Sequence, residues 1–268
     1  MFEVLVNETP FQVDENATLF SLCAIVKPDA DILILNGAVV SEDTALFEGD
    51  SVSLIRRGEV PSEDELEALM AARHTPGVHQ KLKAATVGVA GLGGLGSAIA
   101  TALARVGVGK LIVADFDVVE PSNLNRQHYF VDQIGLPKTE ATVSNLRKIN
   151  PYVEVEAHCG KLTPDTVFPI FGNCDVMIEA FDGAEQKAML LQTFMAERPE
   201  VPFIGASGMA GYASGETIGI KKLGPKLYIV GDLETGAQPG CGLMAPRVGI
   251  AAHMQANLAL RLIVDNIK

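Results

Sequence analysis

Charged and amide side chains are concentrated in one polar segment, residues 115–127, directly after a short apolar run. Its candidate binding residues are Asp115, Asp117, Ser122, Asn123 and Arg126. Arg126 offers a planar fork of donors for phosphate oxygens, and Lys138 adds a compact positive charge. Asp182, at the carboxyl end of a predicted strand, is a typical ligand for Mg²⁺. These residue types predict a site for a phosphorylated anion.

A glycine-rich turn, Gly91-Leu-Gly93-Gly94-Leu-Gly96, precedes this segment. It follows a predicted strand (86–91) and opens a predicted helix (94–106), where free backbone N–H groups attract phosphate. Asp115 lies 115 − 91 = 24 positions after Gly91, where a carboxylate would hydrogen-bond a ribose hydroxyl. The turn therefore predicts a nucleotide site. The glycines leave open which nucleotide binds, and a strand–helix turn without a ligand is the alternative.

The elements that must position these residues alternate regularly from residue 85 onward. Apolar strands are predicted at 86–91, 110–115, 153–158, 175–182 and 201–207, and helices at 94–106, 138–149, 184–198 and from about 246. Strands that alternate with crossover helices form a mostly parallel sheet covered by helices on both faces. The fold class predicted for residues 81–268 is therefore α/β and Rossmann-like.

The first 57 residues have a different pattern of short strands and one short helix. The order β-β-α-β-(β)-β in so few residues is typical of a small β-grasp, ubiquitin-like domain. Residues 58–80 are predicted to be a linker followed by a helix, which Ser62 and Glu65 cap. We thus expect a β-grasp domain (1–57), this connection (58–80) and a nucleotide-binding domain (81–268).

Composition excludes several classes of function. The 268 residues carry 21 − 33 = −12 formal charges, which disfavours nucleic acid or anionic membrane as a partner. The chain has no run of 18 apolar residues and no basic N-terminal region, so we expect a cytoplasmic protein. Its four cysteines form no CxxC pair, so we expect no zinc site.

Residues 82–260 resemble the ubiquitin-activating superfamily, which includes the bacterial adenylyltransferases ThiF and MoeB. The resemblance rests on GLGGLG, on the pattern DFDxVxxSNLxRQ at 115–127, on Gly135-Leu-Pro137-Lys138, on Asp182 and on GLMAPRVG at 242–249. It implies ATP-dependent adenylation of the C-terminal glycine carboxylate of a ubiquitin-like sulfur carrier protein, with release of pyrophosphate. It also implies a homodimer and, as a further candidate partner, a sulfur donor.

The resemblance also implies roles for individual residues. Asp115 would bind the ribose, and Asp182 would hold Mg²⁺ in the ATP site. The ATP site would further include Gly91, Gly93, Gly94, Asp117, Ser122, Asn123, Arg126 and Lys138. Gly183 stands where the family often has Asn, which removes one contact to the nucleotide.

Two further residues are candidates for catalysis. Arg73 would contact the γ-phosphate, as an arginine near the N-terminal arm does in the family; alternatively it is a cation favoured at a helix C-terminus. Cys241 lies in a glycine-rich loop where some relatives have a cysteine that links covalently to the carrier or to sulfur. The alternative for Cys241 is an unreactive small side chain.

The N-terminal domain resembles the sulfur carrier ThiS through ILILNGAVV and EGDSVSLI. Arg56-Arg57-Gly58-Glu59 replaces the free Gly-Gly tail of a carrier, so we expect a docking or dimerisation element and not a substrate. This domain favours ThiS and thiamine synthesis as the context. The alternatives are a molybdopterin-type carrier, a nicotinamide-dependent oxidoreductase and a non-catalytic scaffold.

Overall fold

The structure is a computed structural model that describes residues 1–265. The chain divides into two compact units, Met1–Pro76 and Gly77–Lys268. Among residues 1–265, no helix is both long enough and apolar enough to span a bilayer.

The first unit is a five-stranded sheet packed on a helix. Its elements are β1 (Phe2–Val6), β2 (Thr9–Val13), α1 (Leu19–Val26), β3 (Ile32–Leu35), β4 (Ala38–Val39), β5 (Ser51–Ile55) and α2 (Glu63–Ala71). The strand order is β2-β1-β5-β3-β4, with β1 and β5 parallel. This arrangement confirms the ubiquitin-like domain.

Local sequence explains the main helix of this unit. Thr18 and Ser21 cap the start of α1 reciprocally, each side chain bonding the other's backbone N–H. The helix buries Leu19 and Leu22 against alternate residues of β1 and β5, such as Val4 and Val52. The apolar face of one helix therefore covers one face of the sheet.

The expected connection at 58–80 is divided between the two units. α2 belongs to the first unit, where Glu65 Oε1 accepts a hydrogen bond of 2.8 Å from Asn7 Nδ2. Half of the predicted capping box forms: the Ser62 hydroxyl accepts from the backbone N–H of Glu65, whereas the Glu65 carboxylate is the one that bonds Asn7.

The second unit alternates strands and helices. Its elements are α3 (Val78–Lys83), β6 (Thr86–Ala90), α4 (Gly94–Arg105), β7 (Lys110–Asp115), α5 (Lys138–Ile149), β8 (Glu154–Cys159), α6 (Pro164–Phe171), β9 (Val176–Glu179), α7 (Ala184–Glu197), β10 (Phe203–Ala206), β11 (Gly219–Lys222), β12 (Leu227–Gly231) and α8 (Ala245–Val264).

These strands form one seven-stranded sheet in the order β11-β12-β10-β9-β6-β7-β8. All neighbours are parallel except the edge pair β11–β12. Side chains of α3, α4, α5 and α8 share one apolar core with the sheet, and those of α6 and α7 share the other. Helices thus cover both faces, which confirms the predicted fold class.

The path of the chain creates a crevice at the carboxyl ends of the central strands. From β6 the chain proceeds to β7 and β8 on one side, and then returns to place β9 on the other side of β6. Ligands bind at such a switch point in open α/β sheets, because the loops after the two central strands diverge there.

Candidate active site

A cavity of about 540 Å³ opens at this switch point. Nine of the residues expected in the ATP site line it: Gly91, Gly93, Gly94, Asp115, Asp117, Asn123, Arg126, Lys138 and Asp182. They come from the end of β7, from the loops after β6, β7 and β9, and from the starts of α4 and α5. The structure therefore brings together residues that are up to 91 positions apart (182 − 91).

The glycine-rich turn connects β6 to α4. Gly91 has φ = +93°, a left-handed conformation that glycine adopts without strain. A Cβ on Gly96 would lie 1.8 Å from the carbonyl oxygen of Gly91, so any side chain there would push the turn away from the helix. The first turn of α4 carries no acidic side chain. Its free N–H groups can therefore serve an anion.

Asp115 holds this turn in place. Its side chain is 8% exposed, and its two carboxylate oxygens accept backbone hydrogen bonds from Leu92 N (2.6 Å) and Asp117 N (2.8 Å). Burial raises the pKa of Asp115 above its ordinary value, while these two bonds oppose the rise. Each carboxylate oxygen can accept a further bond, so a ribose hydroxyl remains a compatible ligand.

Tyr129 supports the same turn from the other side. Its buried hydroxyl donates to the carbonyl of Leu92 (2.8 Å) and lies 3.2 Å from the hydroxyl of Thr142 on α5. Burial, the dominant cause, raises the pKa of Tyr129, so the group stays a neutral donor. Leu92 is thereby held through its N–H by Asp115 and through its carbonyl by Tyr129.

Lys138 is the first residue of α5 and is 5% exposed. Its Nζ lies 2.8 Å from Oδ2 of Asp117, and its backbone N–H donates to the Asp117 carbonyl (2.9 Å). The two residues lock the loop after β7 to α5. Asp117 is about half exposed, and both residues line the cavity. The lysine charge is therefore close to the space that a ligand would occupy.

Arg126 lies beside the helix N-terminus. Its Cγ is 3.3 Å from the position that a Cβ on Gly94 would occupy. One terminal nitrogen donates to Asn125 Oδ1 (2.8 Å) and to the Ser122 carbonyl (3.2 Å). Its Nε is buried and has no hydrogen-bond partner among the described residues.

Asn123 is 8% exposed, and its Oδ1 accepts the backbone N–H of Glu120 (3.0 Å). That bond fixes the short turn that carries Arg126. Ser122 is exposed, near Glu120 (3.3 Å between Oγ and Oε2), and lies outside the residues that line the cavity.

Asp182 follows β9, and its exposed side chain lines the cavity. Gly183, the next residue, is the N-cap of α7. The carboxylate is accessible to a cation that also binds phosphate oxygens. One carboxylate together with phosphates and water is the ligand set that Mg²⁺ prefers, so the residues present fit this ion.

Lys187 and Glu179 were not predicted from the sequence. Lys187 lines the cavity from the first turn of α7, and its Nζ lies 2.8 Å from Oε1 of Glu179 at the end of β9. A glutamate inside the apolar strand DVMIEAF was the available signal, because a buried carboxylate requires a partner.

The cavity differs in charge from the rest of the protein. Four cationic side chains line it (Arg126, Lys138, Lys161 and Lys187), against four acidic ones (Asp115, Asp117, Glu120 and Asp182). Its formal charge is therefore 4 − 4 = 0 in a chain of net charge −12. The cavity therefore lacks the negative excess of the rest of the chain and offers cations that an anion can contact.

Arg73 and Cys241 have other surroundings. Arg73 belongs to the first unit, is largely exposed and lies 3.9 Å from Glu8. Cys241 is half-buried, its backbone pairs with Gln238, and it lies outside the residues that line the cavity. Their catalytic roles stay predictions. Among residues 1–265, no group of three or more His, Cys, Asp and Glu side chains could hold a metal ion.

The fold and the crevice define a Rossmann-like α/β domain with a cavity at its switch point that four cationic side chains line, joined to a ubiquitin-like domain. Residues 67–268 match the ThiF family, and residues 2–58 match the ThiS-like ubiquitin family. The chain belongs to the ThiF family.

Two relatives match about two thirds of this chain. The molybdopterin-synthase adenylyltransferase of Haemophilus influenzae is 32% identical over 190 residues, covering 68% of this chain and 76% of that protein. The SAMP-activating enzyme E1 of Haloferax volcanii is 31% identical over 191 residues, covering 69% of each chain. In contrast, proteins named ubiquitin-like modifier-activating enzyme 5 are matched over only 21–28% of their length.

One solved structure is similar over nearly its whole length. The E. coli tRNA N6-threonylcarbamoyladenosine dehydratase TcdA in complex with ATP is 25% identical, with a TM-score of 0.68. The match covers 78% of this chain and 98% of that chain. The similarity therefore includes a relative that binds ATP.

Proposed function

We propose that this protein adenylates the C-terminal carboxylate of a ubiquitin-like sulfur carrier protein, using ATP and releasing pyrophosphate. The observation that carries this proposal is the cavity at the N-terminus of α4, where four cationic side chains balance the acidic ones within a strongly acidic protein. The names of the relatives from H. influenzae and H. volcanii, and the ATP complex of TcdA, support it.

The reaction needs charge neutralisation more than proton transfer. One oxygen of the carrier's carboxylate forms a bond to the α-phosphorus of ATP. The bond from that phosphorus to the oxygen bridging to the β-phosphate breaks, and its electron pair leaves with pyrophosphate. Because a terminal carboxyl has a pKa of about 3.5, the nucleophile is already ionised at neutral pH. The barrier is the approach of an anion to a triphosphate, which cationic side chains lower.

Each residue of the cavity has a proposed role that follows from its position. The N-terminus of α4, Arg126 and Lys138 bind the triphosphate, and Asp115 holds the glycine-rich turn and the ribose. Asp182 would hold Mg²⁺, which when bound neutralises part of the phosphate charge. Asn123 keeps the turn before Arg126 in its conformation.

The finer proposal is that the carrier is ThiS and that the pathway is thiamine synthesis. The ThiS-like first unit supports it. A molybdopterin-type carrier is the second candidate, because the H. influenzae relative is named for molybdopterin synthase. We further propose that the protein is cytoplasmic and acts as a homodimer.

The first unit is proposed to dock or dimerise and not to be a substrate. The segment after β5 occupies the position of a carrier's free tail, but here it makes hydrogen bonds and an ion pair with its own domain. Arg57 N donates to Asp31 Oδ1 (3.0 Å), and Glu59 lies 2.7 Å from Lys27 Nζ. If deletion of residues 1–57 changed neither the oligomeric state nor the KM for the carrier, this role would be excluded.

Carrier-dependent ATP–pyrophosphate exchange with Mg²⁺ tests the activity. Purified ThiS-type and molybdopterin-type carriers, each ending in Gly-Gly, are compared as substrates. Arg126→Ala and Lys138→Ala should each lower the exchange rate about 10²-fold or more. Arg147→Ala, an exposed cation on α5, is the matched control. Near wild-type exchange in both site variants contradicts the assignment, and tight NADH binding without exchange supports an oxidoreductase instead.

A further inference from the structure

A buried arginine lies at the start of α8, where a positive charge is not expected. Arg247 is 3% exposed and lies in the first turn of that helix. The helix dipole disfavours a cation at this end. Helix stability therefore does not explain the residue, and its contacts must.

Arg247 bonds to two separate segments of the chain. One terminal nitrogen donates to the carbonyls of Ala213 (2.8 Å) and Ser214 (2.5 Å). The other donates to Thr217 Oγ1 (3.0 Å) and to Asp232 Oδ2 (2.6 Å). The rigid guanidinium thus ties the loop after β10 and the loop after β12 to the first turn of α8.

Asp232 organises the second of these loops. Its Oδ1 accepts the backbone N–H groups of Glu234 and Thr235 (2.8 Å each), and its Oδ2 accepts the Thr235 hydroxyl (2.6 Å). A Cβ on Gly208 would lie 2.0 Å from Oδ1, so the carboxylate packs directly beneath that glycine. The Thr235 carbonyl in turn accepts the N–H groups of Met209 and Ala210.

The two loops line one part of the cavity with uncharged residues. Ser207, Gly208, Met209, Thr235, Gly236 and Ala237 line it, and none of them is ionisable. The four cations of the lining belong to other segments of the chain, and Lys187 reaches the Ala206 carbonyl beside this part of the cavity (2.9 Å). Small side chains with accessible backbone groups suit an extended, uncharged peptide of small residues, which is the chemistry of a Gly-Gly tail.

We propose that Arg247 and Asp232 are positioning residues that set this uncharged wall, which we call the tail wall, for the carrier's C-terminal peptide. The inference rests on the proposed function. The pair touches neither ATP nor the tail and acts through the loops that it holds. A buried ion pair is a poor source of stability compared with apolar packing, which agrees with a role in loop geometry.

The test separates capture of the carrier from binding of ATP. Arg247→Met and Asp232→Asn should raise the KM for a ThiS-type carrier about tenfold or more in pyrophosphate exchange. The dissociation constant of ATP, measured by calorimetry, should change less than about threefold. Arg247→Lys keeps the charge but loses the planar fork, so it should recover only part of the carrier affinity.

Two further variants keep the proposal falsifiable if these substitutions impair folding. Thr217→Val removes one exposed acceptor of Arg247 and should raise the carrier KM by a smaller factor. Leu262→Ala destabilises the distant end of α8 by creating a cavity, and should leave the carrier KM unchanged.

An unchanged carrier KM in folded variants, or an equal loss of ATP and carrier affinity, overturns the positioning role alone. Absence of exchange by the wild-type protein with every carrier overturns the proposed function, and the tail wall with it.

Discussion

The ammonium of Lys187 lies 2.8 Å from Oε1 and 3.1 Å from Oε2 of Glu179, a side chain that is only 3% exposed. The same ammonium donates to the carbonyl of Ala206 (2.9 Å), at the end of the neighbouring strand β10. Glu179 also accepts the backbone N–H of Phe181 (2.7 Å). The pair therefore joins the ends of β9 and β10 to α7, next to the cavity that Lys187 and Ala206 line.

Removal of the lysine should leave a buried carboxylate without its cation. Lys187→Met should lower the free energy of unfolding by about 3–5 kcal/mol at neutral pH. Glu179→Gln combined with Lys187→Met should cost less, because neither charge is then buried alone. Urea unfolding of the single and double variants measures the coupling.

The loss of stability in Lys187→Met should become smaller as the pH falls. Burial raises the pKa of Glu179 even though Lys187 opposes the rise, so removal of the ammonium in Lys187→Met should raise this pKa further. A group with a raised folded pKa contributes stability at low pH that is lost as the pH rises through that pKa. The deficit relative to wild type should therefore shrink in acid. A deficit that does not depend on pH would contradict the burial of an ionised group.

The contribution of Asp232 to stability should change with pH in the opposite direction to that of Glu179. Although burial opposes ionisation, hydrogen bonds from Thr235, Glu234 and Arg247 lower the pKa of Asp232 well below its ordinary value. Its contribution is present above the unfolded pKa of about 3.9 and is lost as the pH falls toward the folded pKa. Unfolding titrations should show a smaller acid-induced loss of stability in Asp232→Asn than in wild type between about pH 5 and pH 2.

Asp115→Asn should loosen the glycine-rich turn. The amide keeps one acceptor, so the N–H of Leu92 or of Asp117 loses its partner, at a cost of about 1–3 kcal/mol. We expect lower stability and weaker ATP binding, measured by urea unfolding and calorimetry. Asp165→Asn, on the exposed first turn of α6, is the control. Unchanged ATP affinity in Asp115→Asn would remove this residue from the site.

Gly96→Ala should be among the most damaging small substitutions. Its Cβ would meet the Gly91 carbonyl at 1.8 Å, and both atoms belong to backbone that cannot move independently. The expected result is a large loss of stability or failure to fold, followed by circular dichroism. Gly219→Ala, on the edge strand β11 with open space around the glycine, should be close to neutral.

Sequence patterns predicted the elements that have strong periodicity. The strand before Gly91, the helix after it and the strand that ends at Asp115 lie within one or two residues of their predicted limits. Residue propensities and glycine positions are enough to locate these elements, because strands buried on both faces appear in the sequence as continuous apolar runs. The ubiquitin-like order of the first unit was recognisable for a similar reason, since its turns are marked by Asn-Gly and Glu-Gly-Asp.

The elements and contacts that were missed depend on tertiary structure. The exposed edge strand β11 and the short helix α3 carry weak patterns, and β12 is a strand because it pairs with β10. The sequence places Arg247 in a predicted helix and does not indicate that its side chain is buried. Its ion pair with Asp232, 247 − 232 = 15 positions earlier, forms only when the fold brings the start of α8 against the loop after β12.

The contrast between a neutral cavity and a net charge of −12 has a kinetic consequence. Long-range repulsion slows the diffusion of a nucleotide toward the protein, while attraction operates only at short range inside the crevice. Added salt screens the first effect over about 10 Å at 0.1 M and leaves the sheltered contacts less affected. Association of ATP should consequently become faster as ionic strength rises, the reverse of the behaviour of proteins that attract polyanions with a basic exterior.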